Sequence, residues 1–273
     1  MHDHDTLYDT YSYTLSELAH SYGSNVHLLS DPLILTELAR LSRPETVQPD
    51  ISYLVRDLYQ SFVRTVIAHT MPRTLTTLRT RMFNATKNGV WSGSVIDPTT
   101  KVITVDIARA GTLPSQVVFE TLVRVINPDL VRQDHIHMNR VTDAQGTVTG
   151  VSVAGSKIGG PANNAIVLIP DPMGATGQSV SRAIAMYKSM PEGPPQKIIT
   201  MHLIVTPEYL HALRAHHPDV HIYAMRLDRG MSEDSVLNTP PGSHWPQERG
   251  LNEHQYIVPG AGGLGEILNN SYV

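Results

Sequence analysis

From Val102 onward, short apolar runs of strand length alternate with segments of helical period. Residues 102–107, 135–138, 165–170, 198–205 and 221–225 are brief and mostly apolar, with β-branched side chains prominent, which marks them as buried strands. Residues 116–125, 180–187 and 208–216 between and after them have the spacing of helices, and in the second Val180, Ala183, Ile184 and Tyr187 share one face. This alternation predicts βαβ units, a parallel sheet, and ligands at the carboxyl ends of its strands.

The first 95 residues read differently. Leu33, Leu35, Leu38 and Leu41 outline one candidate helix, and Leu54, Leu58, Phe62, Val63 and Val66 a second. The expectation is a helical lead-in over 1–95 and a core over 96–273, forming one domain. Two stretches interrupt the core. Residues 155–164, with Gly155, Gly159, Gly160 and Pro161, are a loop that is either a mobile cover or a solvent-exposed turn. Residues 232–248 resemble a surface insertion separating two similar phrases, Asp228-Arg229-Gly230-Met231 and Glu248-Arg249-Gly250-Leu251.

Composition narrows the function classes. With 273 residues the chain is long enough for one large α/β core. A net charge of −4 leaves no basic footprint for nucleic acid or an anionic membrane. No apolar run is long enough to span a bilayer, and Met1-His2-Asp3-His4-Asp5 lacks the core of a signal peptide. The absence of cysteine suits a reducing cytoplasm, the expected location.

The most informative segment lies between the 165–170 strand and the 180–187 helix: Asp171, Pro172, Met173, Gly174, Ala175, Thr176, Gly177, Gln178 and Ser179. Small side chains at a strand-to-helix turn let backbone N–H groups approach an anion, and the helix dipole adds positive potential. The predicted ligand is a phosphate. The segment resembles the phosphoribosyl-diphosphate (PRPP) loop of type I phosphoribosyltransferases, and Asp-Pro-Met followed by Ala-Thr-Gly-x-Ser is similar to the uracil phosphoribosyltransferase family. The resemblance implies that this loop holds the 5′-phosphate of PRPP and that Asp171 faces the ribose hydroxyls.

Two arginines follow strands. The 102–107 strand runs into Ala108-Arg109-Ala110-Gly111, placing a permanently charged planar donor at a strand end. Taken alone, such an arginine is more often a surface group or half of an ion pair. Arg-Ala-Gly resembles the family's Leu-Arg-Ala-Gly element, which implies that Arg109 contacts the diphosphate. His135-Ile136-His137-Met138-Asn139-Arg140 resembles the family strand that ends in a second diphosphate-binding arginine, here Arg140, although Asn139 and Val141 replace the usual tyrosine and acid. His135 and His137 share a strand face. Without cysteine or a third ligand at suitable spacing they read as packed or exposed histidines, not a metal pair.

Near the C-terminus, Gly260-Ala261-Gly262-Gly263-Leu264-Gly265 fits G-x-G-x-x-G, but too little chain follows for a dinucleotide-binding unit. The run from Leu251 to Glu266 instead resembles the family's base-reading signature. That resemblance implies a main-chain carbonyl at Ile257 and amides at Gly262, Gly263 and Leu264 facing the base, with Tyr256 on the ribose side. One acid of the signature is replaced by Gly263, whereas the final acid is kept as Glu266.

Together these motifs imply a type I phosphoribosyltransferase-like parallel sheet flanked by helices, with an N-terminal helical region and a small C-terminal hood over the base. The implied substrates are PRPP and a pyrimidine base, with Mg²⁺ bound through PRPP, no metal site of the chain's own, and a homodimer or higher homo-oligomer. Transfer to uracil, giving UMP and diphosphate, stands first. Gly263, Gln178 and the 232–248 insertion keep open a different base, and a PRPP-binding regulator without catalysis is the third reading.

Overall fold

The computed structural model describes residues 5–142 and 148–271, with only the backbone described for 140–142, 148 and 149. Among the described residues one large sheet has the order β1 (Val26–Leu28), β10 (His221–Leu227), β9 (Lys197–Val205), β7 (Ile166–Pro170), β4 (Val102–Ala108), β5 (Val131–Thr142) and β6 (Val148–Lys157). A two-residue strand, β8 (Met173–Gly174), pairs beside the end of β9. All pairings in this sheet are parallel except β5 with β6.

Strand periodicity explains how both faces are covered. All five residues of β7 are buried, and successive side chains leave opposite faces. Ile166 and Leu168 join a core with Phe62 and Val66 of α2 (Asp50–Thr70) and Val117 and Val118 of α3 (Thr112–Leu122). Val167 and Ile169 join the other core, with Val180 and Ile184 of α4 (Gln178–Lys188) and Leu210 and Leu213 of α5 (Pro207–His216). Two short helices, α6 (Asp234–Leu237) and α7 (Leu264–Ile267), lie in the C-terminal part. Among the described residues no helix is long and apolar enough to cross a membrane.

The lead-in departs from the helical expectation. Helix α2 forms as its Leu54, Leu58, Phe62, Val63 and Val66 pattern predicts. In α1 (Pro32–Leu41), Asp31 caps the N-terminus and the buried face is Ile34, Leu38 and Leu41. Leu33 and Leu35 are 67% and 39% exposed, because the i, i+4, i+7 stripe starts at Ile34. Between these helices and the core, β2 (Arg73–Arg79) and β3 (Val90–Ile96) form an antiparallel hairpin. β1 adds a parallel edge strand to the main sheet. The alternation in Arg73-Thr74-Leu75-Thr76 carried the strand signal.

Two readings of the core also change. The 155–164 loop starts only after Lys157, because Gly155, Ser156 and Lys157 pair with β5. The 232–248 segment is not wholly superficial. Glu248 is 1% exposed and its carboxylate accepts hydrogen bonds from the Tyr22 hydroxyl, Arg229 Nη1 (2.8 Å) and the Gly242 N–H (2.8 Å).

Candidate active site

The carboxyl ends of β7 and β4 lie next to each other and deliver the two turns singled out in the sequence. After β7, the chain is fastened to β9 at almost every step. The Asp171 N–H donates to Met201 O (3.1 Å), and the Leu203 and Ile204 N–H groups donate to Pro172 O (3.1 Å each). Thr206 gives its N–H to Gly174 O (3.1 Å) and its hydroxyl to Ala175 O (2.7 Å). Gly177 has φ of +79°, and a Cβ there would lie 2.6 Å from Leu213 Cδ2, so both the backbone and the space require glycine. Helix α4 starts directly after it, so its first-turn N–H groups lack intrahelical acceptors. Gln178 is exposed, whereas Pro172 and Gly174 are buried and shape the turn from below. Thr176 and Ser179 supply the hydroxyls beside the helix start.

Asp171 accepts from the Met173 N–H (3.3 Å). Desolvation, opposed by that hydrogen bond and assisted by the negative charge of Asp106, raises its carboxyl pKa to about 6. Behind it stands a buried polar relay that the sequence reading passed over. His202 Nδ1 is 2.5 Å from Asp171 O, and Nε2 is 2.6 Å from the Tyr209 hydroxyl. A carbonyl only accepts, so Nδ1 carries the hydrogen and Nε2 accepts from Tyr209. The Tyr209 hydroxyl also lies within hydrogen-bond distance of Thr200 Oγ1, at 3.2 Å. Burial holds His202 neutral, lowering its pKa to about 3. A histidine inside the largely apolar 198–205 run was the available signal.

The second turn connects β4 to α3. The Ala108–Arg109 peptide is cis, and the Gly111 N–H donates to Ile107 O (3.0 Å). A Cβ on Gly111 would lie 2.8 Å from Ile107 O and 3.2 Å from Pro170 O; the latter contact shows how closely the two turns abut. Arg109 is exposed, and its Nη1 donates to Ser271 O (3.0 Å) and Ser271 Oγ (2.6 Å). Arg140 lies on β5 opposite Val151; its side chain is outside the described residues. His135 is not packed with His137 but with Asp106, at 2.9 Å.

The hood reaches the same place. A cross-strand bridge between Leu251 and Ile257 closes its small loop, and the Asn252 side chain accepts from the Tyr256 N–H (2.9 Å). Ile257 and Leu264 are buried in the core, whereas Tyr256 remains exposed. Gly262 has φ of +72°, leaving bare backbone at the rim. A Cβ on Gly265 would sit 3.4 Å from Ala110 Cβ, so the hood touches the Arg109 turn. At Gly263 a Cβ would run into the Glu266 carboxylate: an acid reaches over this glycine from three residues downstream.

The hood's supports were also missed in the sequence. Glu208, in the first turn of α5, accepts from the N–H groups of Gly250 (3.0 Å) and Leu251 (3.3 Å). Asp228 accepts from the Gly260 N–H (2.8 Å) and pairs with Arg226 (2.7 and 2.8 Å).

A mostly parallel sheet with helices on both faces, two adjoining small-residue turns at its carboxyl end, and a C-terminal hood together define the type I phosphoribosyltransferase class. The uracil phosphoribosyltransferase family profile matches residues 28–242. The chain belongs to that family, whose members carry out PRPP-dependent base phosphoribosylation. The uracil phosphoribosyltransferase of Variovorax paradoxus (strain S110) is 28% identical over 245 residues, which span 90% of this chain and 98% of the relative. That of Caldanaerobacter subterraneus subsp. tengcongensis is 37% identical over a 102-residue stretch covering 37% of this chain. Among solved structures, the AQ2163 protein of Aquifex aeolicus shares the fold with a TM-score of 0.67 at 21% identity, covering 91% of this chain and 99% of that one.

Proposed function

We propose that the chain transfers the 5-phosphoribosyl group of PRPP to uracil, releasing UMP and diphosphate. The observation that carries this reading is the meeting of three parts: the 171–179 loop, the Arg109 turn and the hood adjoin at the carboxyl end of the sheet, with Gly265 against Ala110 and Gly111 against Pro170. The loop from Ala175 to Ser179 holds the 5′-phosphate, and Asp171 faces the ribose hydroxyls. Arg109, with Arg140, receives the diphosphate. Ile257 and Gly262 to Leu264 present main-chain groups to the base, and Tyr256 lies on the ribose side.

In the reaction, uracil N1 forms a bond to ribose C1 as the C1–O bond to diphosphate breaks, through a transition state with oxocarbenium character. The N1 proton passes to solvent. The protein's task is alignment of base with C1 and stabilisation of the charge gathering on the departing group. Among the described residues no group of three or more His, Asp or Glu side chains is placed to hold a metal ion. The oxygens of PRPP are themselves hard donors of the kind Mg²⁺ takes, so the site fits an ion that arrives on the substrate and neutralises diphosphate charge.

A second reading, transfer to another base, is favoured by one observation. The acid near the base rim comes from Glu266 reaching over Gly263, so the charge approaches from a different backbone position. Incubating the enzyme with PRPP, Mg²⁺ and a panel of bases, while following diphosphate and nucleotide together, separates the readings. UMP formation selective for uracil is expected. Turnover with a different base only would replace the acceptor, and PRPP binding without release from any base would replace catalysis with sensing.

A further inference from the structure

Beside the Arg109 turn, the register of three strands assembles a row of charged side chains. Asp106 on β4 stands opposite His135 on β5, and His135 stands opposite Lys157 on β6. Directly opposed residues on neighbouring strands project from the same face. The row therefore reads carboxylate, imidazole, ammonium, from the middle of the sheet to its edge. It lies on the strand that delivers Arg109, two residues before Ala108, and under the first turn of α3.

The inner end of the row is fixed. Asp106 is 3% exposed and accepts from Thr112 Oγ1 (3.1 Å) on one oxygen while facing His135 Nδ1 (2.9 Å) with the other. A carboxylate oxygen has no hydrogen to give, so Nδ1 is the donor and Nε2 is the open end of the ring. The His135 side chain is 43% exposed, and Lys157 is exposed with no hydrogen-bond or ion-pair partner among the described residues. Asp106 thus acts as a backstop that aims the imidazole outward. A lone buried aspartate needs only a hydrogen-bond donor; it does not need a solvent-facing imidazole followed by an ammonium.

We propose that His135 and Lys157 form a second cationic contact for the diphosphate half of PRPP, with Asp106 as the positioning residue that keeps His135 Nε2 facing the anion. This rests on the reading of the Arg109 turn as the diphosphate turn. Singly protonated, the ring offers Nε2 as an acceptor; doubly protonated, it becomes a cation with Nε2–H as a donor. The charged and titratable groups on the elements around the ring are Asp106 and Arg109 from β4 and its turn, His137 along β5, Lys157 on β6, and Asp171 beyond Asp106.

The test is calorimetric binding of diphosphate with Mg²⁺ to the full-length protein at acidic and at alkaline pH, so no turnover is needed. His135→Gln should weaken binding about tenfold at the acidic end, the effect of losing one charge-assisted hydrogen bond, and hardly at all at the alkaline end. Lys157→Gln should weaken it about threefold at every pH. Asp106→Ala should reproduce the acidic-end loss of His135→Gln, because no acceptor then holds Nδ1 and the ring is no longer aimed. His135→Lys should restore the affinity and flatten the pH dependence beyond that of the ligand itself. Thermal melting of each variant reports folding, and the rescue by lysine distinguishes charge from packing. Identical pH profiles in wild type and His135→Gln would overturn this inference alone. Failure of the wild type to bind diphosphate would overturn the reading of the Arg109 turn beneath it.

Discussion

The two turns at the carboxyl end of the sheet are both strand-to-helix connections rich in small residues, yet they are held in opposite ways. The 171–179 loop is braced from below: β9 and the Thr206 that follows it supply partners from Met201 to Thr206, and His202 and Tyr209 fill the space beneath Asp171. The Arg109 turn has its compact backbone, but its guanidinium is exposed and its recorded partners belong to Ser271 near the end of the chain. The first turn is fixed by its own fold, whereas the second presents a long cation held by exposed acceptors. Under the proposed function, a rigid cradle would suit the unreactive 5′-phosphate and a movable clamp a diphosphate that must leave.

The sharpest way to break this contrast is to remove the clamp. Arg109→Ala is expected to lower turnover on the order of 10²-fold or more, as loss of a charge-stabilising donor commonly does, with an unchanged melting temperature. Turnover within a few-fold of wild type in a steady-state assay would refute the assigned role. Next comes the brace. His202→Leu leaves Asp171 O and the Tyr209 hydroxyl without their buried partner, a loss of about 1–3 kcal/mol in denaturant unfolding. It should also raise KM for PRPP, and a variant that is destabilised with unaltered KM would separate the brace from the site.

The charge on Asp171 should appear in stability against pH. Its folded-state pKa of about 6 lies above the ordinary value of 3.8, so the native state favours the protonated acid. Wild-type stability from this group is greatest below the ordinary value and is lost as pH rises through about 6. Asp171→Asn has no such group, so it should be more stable than wild type at pH 8, with the difference closing by about pH 4 while activity is lost. Melting curves that run parallel across that range would show that the carboxyl is not desolvated as described. The smallest effect belongs to the contact over the clamp. Ser271→Ala removes the Oγ acceptor that diphosphate would displace under the proposed function, and should lower KM for PRPP about two- to threefold; a raised KM would mean that Ser271 positions Arg109 instead of competing for it.

What the sequence disclosed follows from distance along the chain. The β7–loop–α4 unit and the Arg109 turn are local, with strand, turn residues and helix face all within some twenty positions. Helix α2 was likewise legible from its periodicity. The partners that complete the site were not. Asp106 meets His135 across 29 positions and Glu208 meets Gly250 across 42, so both depend on strand register and helix docking that no local pattern encodes. The three-residue β1 is too short for a period to declare itself, and the β2–β3 hairpin alternates polar threonine with leucine in a region otherwise dominated by helices. Glu248 looked like part of a polar insertion because burial of a carboxylate depends on Tyr22 and Arg229, which are distant in sequence.

The start of α5 carries more than its own helix. Within four consecutive residues, Thr206 grips Ala175, Glu208 grips Gly250 and Leu251, and Tyr209 grips His202. The 171–179 loop and the hood, the proposed sugar-phosphate and base supports, therefore share one mechanical post. If that post settles further when either ligand is seated, each ligand strengthens the hold on the other, and equilibrium linkage requires the two enhancements to be the same factor.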